Sequence, residues 1–423
     1  MADKAGKIIA LVQLLLIVSL GLFSVIRLPK WNPIDEGAHF DYIQTVAQEK
    51  RMPVLGLDFS SQEFLQIKNG DYPNPYTGNL ESEGLGKYAY EAFQPPLYYL
   101  LAAPAYFVGN NLPAKISALR IGTFLIYLAA VGLSIKFINQ VYPKNIWARV
   151  WALNYFLWPG MVIRNSVISN ASLEMFMALG FVYLIWQTES QDKPRLQLKL
   201  AVVLAMGILT KFTLIYLAVI WGAVLFRNLR AGKIKFRRVV LLIGLTGGLM
   251  AGWMGFNYKH YGSLTANKQA LAMQQPFVNP QNIKTEFRQV PQLIIKSMET
   301  LIWPEEWRMH LTTNKSIAGI NIMFLMAMVI APLMVTQKKS LIWVAPVLLG
   351  LATQTISAVI YDWPLNLGRY LYSGIPTLAI VMGRYCKTRV ARISGVVLLG
   401  GNLILWMMLL RWYYFNPLFI SYF

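Results

Sequence analysis

The chain has 423 residues, of which 56% are hydrophobic and only 14% are charged, and its formal net charge is +20. Apolar runs of about 20 residues match the thickness of a bilayer's hydrocarbon core, which excludes an ordinary soluble protein. A single cysteine, Cys386, excludes an internal disulfide and a cysteine metal cluster. The sequence therefore predicts an all-α polytopic membrane protein, because helices satisfy their own backbone hydrogen bonds in lipid.

About eleven membrane spans are predicted along a single domain, residues 1–423. The first, 8–28, is too long for the apolar core of a signal peptide and has no small-residue cleavage site, so we interpret it as a retained anchor. A pair of apolar segments, 199–210 and 212–226, is broken at Lys211. The other predicted spans are 117–138, 147–163, 171–187, 239–258, 316–336, 340–360, 369–385 and 393–412.

Lysine and arginine gather in alternate loops between these spans, most densely from Arg227 to Arg238. The positive-inside rule then places the N-terminus in the cytoplasm and the C-terminus outside, in an inner or plasma membrane. Because topology already explains the positive charge, we do not expect nucleic-acid binding.

Two long outer loops, 29–116 and 259–315, carry most of the polar chemistry. Loops held by a rigid scaffold are where function tends to lie. The segment 95–109 is apolar but short, and a full crossing there would put the later basic loops on the wrong side. We therefore expect an embedded half-helix or an interfacial helix.

The first outer loop opens with a helix signal, in which Asn32 suits the N-cap and Pro33 suits the first helical position. The predicted helix runs to about Arg51 along the membrane surface and places Asp35 and His39 one turn apart. Near a helix N-terminus Asp35 should stay ionised and could act as a base, with His39 orienting it or binding a substrate. The same pattern is also typical of a capping arrangement that needs no catalysis.

Further ionisable residues recur at the outer ends of spans: Arg164, Glu174, Lys211 and Arg369. Such residues at a membrane segment indicate function by default. The three cations could bind a phosphate or phosphodiester. Taken singly, each is more often a snorkelling or ion-paired side chain. Together they favour a functional interpretation, because all three face the same side as Asp35.

A metal or nucleotide site is less well indicated. The three histidines have no close ligand spacing, whereas Asp35, Glu36 and Glu174 could offer oxygen ligands to Mg²⁺ or Mn²⁺. The spacing does not demand a metal, so no cofactor is certain. The sequence has neither a Walker loop nor a glycine-rich dinucleotide fingerprint, so a soluble nucleotide donor is not expected.

A series of short motifs follows in order along nearly the whole chain. They are Pro33-Ile-Asp-Glu-Gly-Ala-His39, Gln94-Pro-Pro-Leu-Tyr-Tyr99, Arg164-Asn-Ser-Val-Ile-Ser-Asn170, Leu209-Thr-Lys-Phe212, Gly252-Trp-Met-Gly-Phe-Asn-Tyr-Lys-His-Tyr-Gly262 and Gly368-Arg-Tyr-Leu-Tyr-Ser-Gly-Ile-Pro376. Their order and spacing resemble the GT-C superfamily of polyprenyl-phosphate-dependent membrane glycosyltransferases. That superfamily includes the dolichyl-phosphate-mannose protein mannosyltransferases and the lipid A aminoarabinose transferases.

The resemblance implies transfer of a hexosyl or pentosyl group, with inversion, from a polyprenyl-phosphate donor at the outer face. The acceptor would be a hydroxyl of a glycan, lipid or protein, and membrane lipids surround the chain. The family's catalytic base matches Asp35, with Glu36 beside it. The departing phosphate would meet Lys211, Arg369 and Arg164. Candidate substrate-binding residues are Gln94, Tyr98, Glu174, Asn257 and Tyr370.

One departure from the family pattern is Ala171, where many relatives carry an acidic residue; Glu174, one turn later, could substitute. No soluble outer domain follows the last span, so we expect the long loops or a partner protein to recognise the acceptor. Two alternatives stay open, a flippase or transporter of lipid-linked saccharide and a non-catalytic scaffold subunit. The sequence lacks the repeated halves common in transporters.

Overall fold

The computed structural model describes residues 2–28, 30, 35–63, 89–190, 193–266, 269–270, 345–350, 352, 371–383 and 386–415. Every regular element within these ranges is a helix, as the sequence predicts. Two predicted site residues, Arg369 and Tyr370, and the predicted span 316–336 lie outside the described residues.

The described residues form the following α-helices. In chain order they are α1 (Ala2–Arg27), α2 (Glu36–Glu49), α3 (Leu97–Tyr106), α4 (Leu112–Val141), α5 (Ile146–Phe156), α6 (Pro159–Arg164), α7 (Ala171–Ser190), α8 (Pro194–Thr210), α9 (Tyr216–Arg230), α10 (Phe236–Tyr261), α11 (Ile375–Gly383) and α12 (Arg389–Phe415). Two 3₁₀ helices, Tyr90–Phe93 and Phe212–Ile215, precede α3 and α9.

Six helical segments in the described ranges are long and apolar enough to cross a membrane. They are Asp3–Arg27, Leu112–Val141, Ala171–Glu189, Phe212–Arg230, Phe236–Tyr261 and Arg389–Arg411. The length and apolar composition of these helices indicate an integral membrane protein. The total of about eleven spans stays a prediction. The predicted interruption at Lys211 is confirmed, because α8 ends at Thr210 and a 3₁₀ helix begins at Phe212.

The predicted span 147–163 is not one continuous helix, because the structure has two helices there, α5 and α6. Pro159 is the first residue of α6, and a proline cannot continue the hydrogen-bond ladder of a preceding helix. The carbonyls freed by this break have side-chain donors: Tyr127 donates to Phe156 and the Trp406 indole donates to Leu157 at 2.8 Å. An interrupted helix is tolerated at membrane depth when its backbone groups are satisfied in this way.

The apolar segment 95–109 forms the short helix α3, as expected of a segment that does not span. Its ten residues rise about 15 Å, half of the hydrocarbon thickness. Tyr98, Tyr99 and Tyr106 are buried, whereas Leu100 and Phe107 are exposed. This helix packs against α2 and α4, and so holds the start of the first loop against the bundle.

α7 lies at the centre of the described bundle. Of its apolar window 72% is buried, against 22% for α10, which packs on α8 at the edge. α7 contacts α4 and α8, while α5 contacts α1, α11 and α12. Gly21 lets α1 approach α4 closely, since a methyl group there would collide with the ring of Phe124.

A polar seam joins α5 to α12 inside the bundle. The Asn154 amide donates to the carbonyls of Val150 (3.2 Å) and Gly395 (3.0 Å). The Asn402 amide donates to the main-chain and side-chain oxygens of Asn154 at 3.1 and 3.2 Å. All of these side-chain groups are buried, so each needs its partner.

Asn154→Leu should lower the free energy of unfolding by about 1–2 kcal/mol, because a hydrogen bond between membrane helices contributes about 0.6–1.7 kcal/mol. Thermal unfolding in detergent measures the change. Ser394→Ala is the control on α12, since that hydroxyl donates to the Val390 carbonyl one turn earlier in the same helix. Equal melting temperatures for the two variants would contradict a stabilising role for the seam.

Candidate active site

Asp35 stands immediately before α2, in an unusual backbone conformation. It occupies the N-cap position with φ 74° and ψ −8°, and its side chain makes no capping hydrogen bond. An N-cap residue normally has extended backbone, and a left-handed non-glycine residue costs about 1–2 kcal/mol. Strain of this kind is concentrated at functional sites, so it is an independent pointer to Asp35.

The predicted start of this helix at Pro33 is therefore wrong by three residues, since α2 begins at Glu36. Asn32 and Pro33 lie outside the described residues. Aspartate adopts the left-handed region more readily than most residues, but it also occurs in many other conformations. The sequence around Asp35 therefore did not predict its left-handed backbone. Because Asp35 is itself the N-cap and its carboxylate caps nothing, the alternative interpretation of Asp35 as part of a capping box loses its basis.

The carboxylate of Asp35 faces the guanidinium of Arg164, the last residue of α6. Asp35 Oδ2 and Arg164 Nη2 are 3.7 Å apart, with 13% and 9% of the two side chains exposed. Arg164 reaches this position because the proline break starts a new short helix that ends there. Both side chains keep a small exposed fraction, whereas the Glu36 side chain has none.

Glu36, the next residue, is fully buried and bound on both oxygens. Arg120 Nε donates to Oε1 at 2.7 Å, Arg120 Nη2 donates to Oε2 at 2.6 Å, and the backbone N–H of Ile168 donates to Oε1 at 3.1 Å. Arg120 Nη1 also donates to the carbonyls of Val25 and Leu28 at 3.2 and 2.7 Å. This bidentate pair joins the end of α1, the start of α2, α4 and the connection 165–170.

Arg120 was not among the residues expected from sequence. It lies within the predicted span 117–138, and an arginine inside an apolar segment was itself the available signal. Arg164 and Lys211 stand at the ends of apolar segments, whereas Arg120 lies inside a long one and is less conspicuous in the sequence.

Glu174 and Lys211 form the third pair. Lys211 Nζ donates to Glu174 Oε2 at 2.7 Å, and the Thr213 hydroxyl donates to Oε1 at 3.1 Å. Only 10% of the Lys211 side chain and 4% of the Glu174 side chain are exposed. Lys211 has extended backbone between α8 and the 3₁₀ helix, so the helix break directs its ammonium group toward α7.

The chain from Arg164 to Glu174 connects the three pairs. The Asn170 amide lies 3.4 Å from both the Gln94 side-chain oxygen and the Thr210 carbonyl. Glu174 follows one helical turn later, its N–H donating to the Asn170 carbonyl at 2.9 Å. The predicted residues Asp35, Glu36, Arg164, Glu174, Lys211 and Gln94 are thus brought together at one end of the bundle.

Three other predicted residues make contacts of a structural kind. His39 Nδ1 on α2 and the Tyr99 hydroxyl on α3 are 2.9 Å apart, so this contact joins α2 to α3. The Tyr98 hydroxyl on α3 lies 2.7 Å from Thr123 Oγ1 on α4, so it joins α3 to α4. The Asn257 amide donates to the Leu264 carbonyl at 3.2 Å, beyond the end of α10. The catalytic role of His39 and the substrate-binding roles of Tyr98 and Asn257 stay predictions.

The three carboxylates considered as ligands for Mg²⁺ or Mn²⁺ do not form one set. Each has a different cation as partner: Arg164 for Asp35, Arg120 for Glu36 and Lys211 for Glu174. Among the residues that the structure describes, no group of three or more histidine, cysteine or acidic side chains could hold a metal ion. Charge in this cluster is balanced by protein cations.

No protein-family model matches the sequence. No curated protein matches it either. In a comparison of structures the chain is similar to ArnT from Cupriavidus metallidurans in the apo state, with 13% identity, a TM-score of 0.41, and 91% of this chain and 78% of that chain covered. It is also similar to ArnT from Cupriavidus metallidurans bound to undecaprenyl phosphate, with 12% identity, a TM-score of 0.44, and coverage of 91% and 79%.

Arg120→Met should lower the free energy of unfolding by about 3–5 kcal/mol, because it leaves the Glu36 carboxylate buried without its cation. Arg51→Met is the matched control, since Arg51 pairs with Asp58 and Glu49 while 44% of its side chain is exposed. That surface change should cost about 0–1 kcal/mol. Thermal unfolding of both variants measures the difference, and similar losses would contradict a central role for the Glu36–Arg120 pair.

The raised pKa of Asp41, on α2, predicts that the stability of the protein depends on pH. Burial raises its pKa from 3.8 to about 6, against the hydrogen bonds with Ser61, and nearby Asp58 adds to the rise. The folded chain then holds this proton more tightly than the unfolded chain, so the free energy of unfolding falls as pH rises from about 4 to about 6. At about 1.4 kcal/mol per pH unit, the loss approaches about 3 kcal/mol.

Asp41→Asn should remove this slope and raise the melting temperature at pH 7, because the amide oxygen can still accept from the Ser61 N–H, 2.8 Å away. Asp58→Asn is the contrasting variant. Burial raises the pKa of Asp58, but hydrogen bonds from Arg51 and the Val54 N–H outweigh burial and lower it overall. At pH 7 Asp58→Asn should lower the melting temperature, whereas Asp41→Asn should raise it. The fall in stability from about pH 4 to about pH 6 should persist in Asp58→Asn, because the stability that Asp58 contributes is lost only at lower pH. An unchanged slope in Asp41→Asn would contradict the assignment.

Proposed function

We propose that this protein is a GT-C-type glycosyltransferase that moves a sugar from a polyprenyl-phosphate donor to an acceptor hydroxyl, with Asp35 as general base. The observation that carries the proposal is the state of Asp35. It is a strained, partly exposed carboxylate at a helix N-terminus, set 3.7 Å from the guanidinium of Arg164. A base and a phosphate-binding cation side by side are what transfer from a lipid phosphate requires.

Asp35 is the better candidate for the base than Glu36. Both oxygens of Glu36 accept from Arg120 at 2.7 Å or less, and its side chain is fully buried. A proton taken by Glu36 would break a buried ion pair, at a large cost. The Asp35 side chain is 13% exposed, whereas the Glu36 side chain is fully buried, so an acceptor hydroxyl has more access to Asp35.

In the proposed reaction Asp35 takes the proton of the acceptor hydroxyl as that oxygen attacks the anomeric carbon. The bond from the anomeric carbon to the phosphate oxygen breaks, and polyprenyl phosphate leaves with both bonding electrons. A single displacement inverts the anomeric configuration. Arg164 and Lys211 stabilise the negative charge on the departing phosphate, together with Arg369, which lies outside the described residues. No step is assigned to a metal ion.

The proposed reaction takes place at the outer face of an inner or plasma membrane. Glu174 stands in the first turn of α7, and Glu189, near its last residue, pairs with Arg227 at 2.8 Å. Glu174 and Glu189 are about 22 Å apart along the axis of α7, at about 1.5 Å per residue. The site and the basic turn after Arg227 therefore lie at opposite ends of the bundle, and the positive-inside rule assigns the basic end to the cytoplasm.

Asp35→Asn should lower turnover at least about 100-fold, because a positioned general base contributes about 10²–10⁴-fold. The purified protein in lipid is given a panel of radiolabelled polyprenyl-phosphate sugars with membrane extract, and transfer of label to a new acceptor is measured. Donor binding should persist in the variant. Asp3→Asn, at the exposed start of α1, is the matched control and should be as active as wild type.

Full transfer by Asp35→Asn would remove Asp35 as the base and direct attention to Glu36 or Glu174. Movement of label across the membrane without a new glycosidic bond would favour a transporter. Absence of donor binding in wild type would favour a scaffold subunit.

A further inference from the structure

The Glu174–Lys211 pair is built from the groups of an anion site. The carboxylate accepts from an ammonium group at 2.7 Å and from the Thr213 hydroxyl at 3.1 Å, so both of its oxygens are held by residues at the break after α8. An ammonium group and a hydroxyl donor suit phosphate oxygens as well as they suit a carboxylate. In this arrangement Glu174 holds the place that an anionic ligand of Lys211 would take.

The Lys211 ammonium group and the Glu174 carboxylate are both largely buried, so each depends on the charge of the other. A buried ammonium group needs a counter-charge, because an unpaired charge away from water is very unfavourable. Glu174 supplies that charge when no lipid is bound. A lipid phosphate that approaches Lys211 must displace the carboxylate or share the cation with it, and in either case it meets the negative charge of Glu174.

The two lipids of the proposed reaction differ in charge. A sugar polyprenyl phosphodiester carries one negative charge, whereas the polyprenyl phosphate released from it is a monoester with about −1.5 to −2 at pH 7. Coulomb energy is proportional to the product of the charges, so a fixed carboxylate repels the monoester about twice as strongly.

We propose that Glu174 is a charge-selecting residue of the phosphate site, which neutralises Lys211 in the lipid-free protein and disfavours spent polyprenyl phosphate relative to the sugar phosphodiester. This inference rests on the proposed function. It assigns to Glu174 the release of the spent carrier, a step distinct from the proton transfer at Asp35.

The test compares wild type with Glu174→Gln in lipid nanodiscs, using undecaprenyl phosphate and its methyl phosphodiester as probes at pH 8. Glu174→Gln should bind undecaprenyl phosphate about tenfold more tightly and the diester about threefold more tightly, since a doubled charge squares the gain. At pH 5.5, where the monoester is mainly singly charged, the two gains should become similar.

Glu189→Gln is the matched control. Glu189 lies on α7, as Glu174 does, and it also pairs with a cation. Its partner is Arg227 of α9, and this more exposed pair lies at the opposite end of α7. The affinity of Glu189→Gln for both probes should equal that of wild type. Glu174→Asp keeps the buried charge and should keep the wild-type ratio of the two affinities. This variant still tests the proposal if Glu174→Gln folds poorly.

Equal gains for monoester and diester at pH 8, or weaker binding in Glu174→Gln, would overturn the charge-selecting role while leaving the glycosyltransferase proposal in place. A Glu174→Asp ratio far from that of wild type would do the same. Failure of wild type to bind either probe would instead overturn the proposed function, and this inference with it.

Discussion

The need to neutralise buried charge governs the site end of this molecule. Glu36 and Arg120 lie 84 residues apart in sequence and meet as a fully buried bidentate pair that also binds the end of α1 and the connection 165–170. A buried carboxylate without its cation would destabilise the fold by several kcal/mol, so the helices that supply the two groups must come together. Asp35 is adjacent to this fixed pair, which sets where its carboxylate can lie.

Interrupted helices then supply the remaining cations. Pro159 ends α5 and starts the short α6, whose last residue is Arg164, and the break at Lys211 aims an ammonium group at α7. In each case the freed carbonyl finds a side-chain partner, Trp406 for Leu157 and Asn170 for Thr210. Irregular backbone at membrane depth is tolerated only with such partners, and here it brings charged groups to one site.

Apolar length and local charge predicted much of this arrangement. The helical class, the short α3, the break at Lys211 and the common position of Asp35, Arg164, Glu174 and Lys211 all followed from sequence. The start of α2, the break at Pro159 and the role of Arg120 did not. A left-handed aspartate has no reliable sequence signal, and a bidentate partner far along the chain is fixed by tertiary packing, which local patterns do not encode.

The location of the lipid phosphate is the most direct test of the account. A cryo-EM structure of the protein in nanodiscs with undecaprenyl phosphate should place the phosphate within hydrogen-bonding distance of Lys211 and beside Arg164, with Asp35 facing the space where the sugar would sit. A phosphate bound elsewhere, with the Asp35–Arg164 and Glu174–Lys211 pairs unchanged and distant from it, would contradict the account.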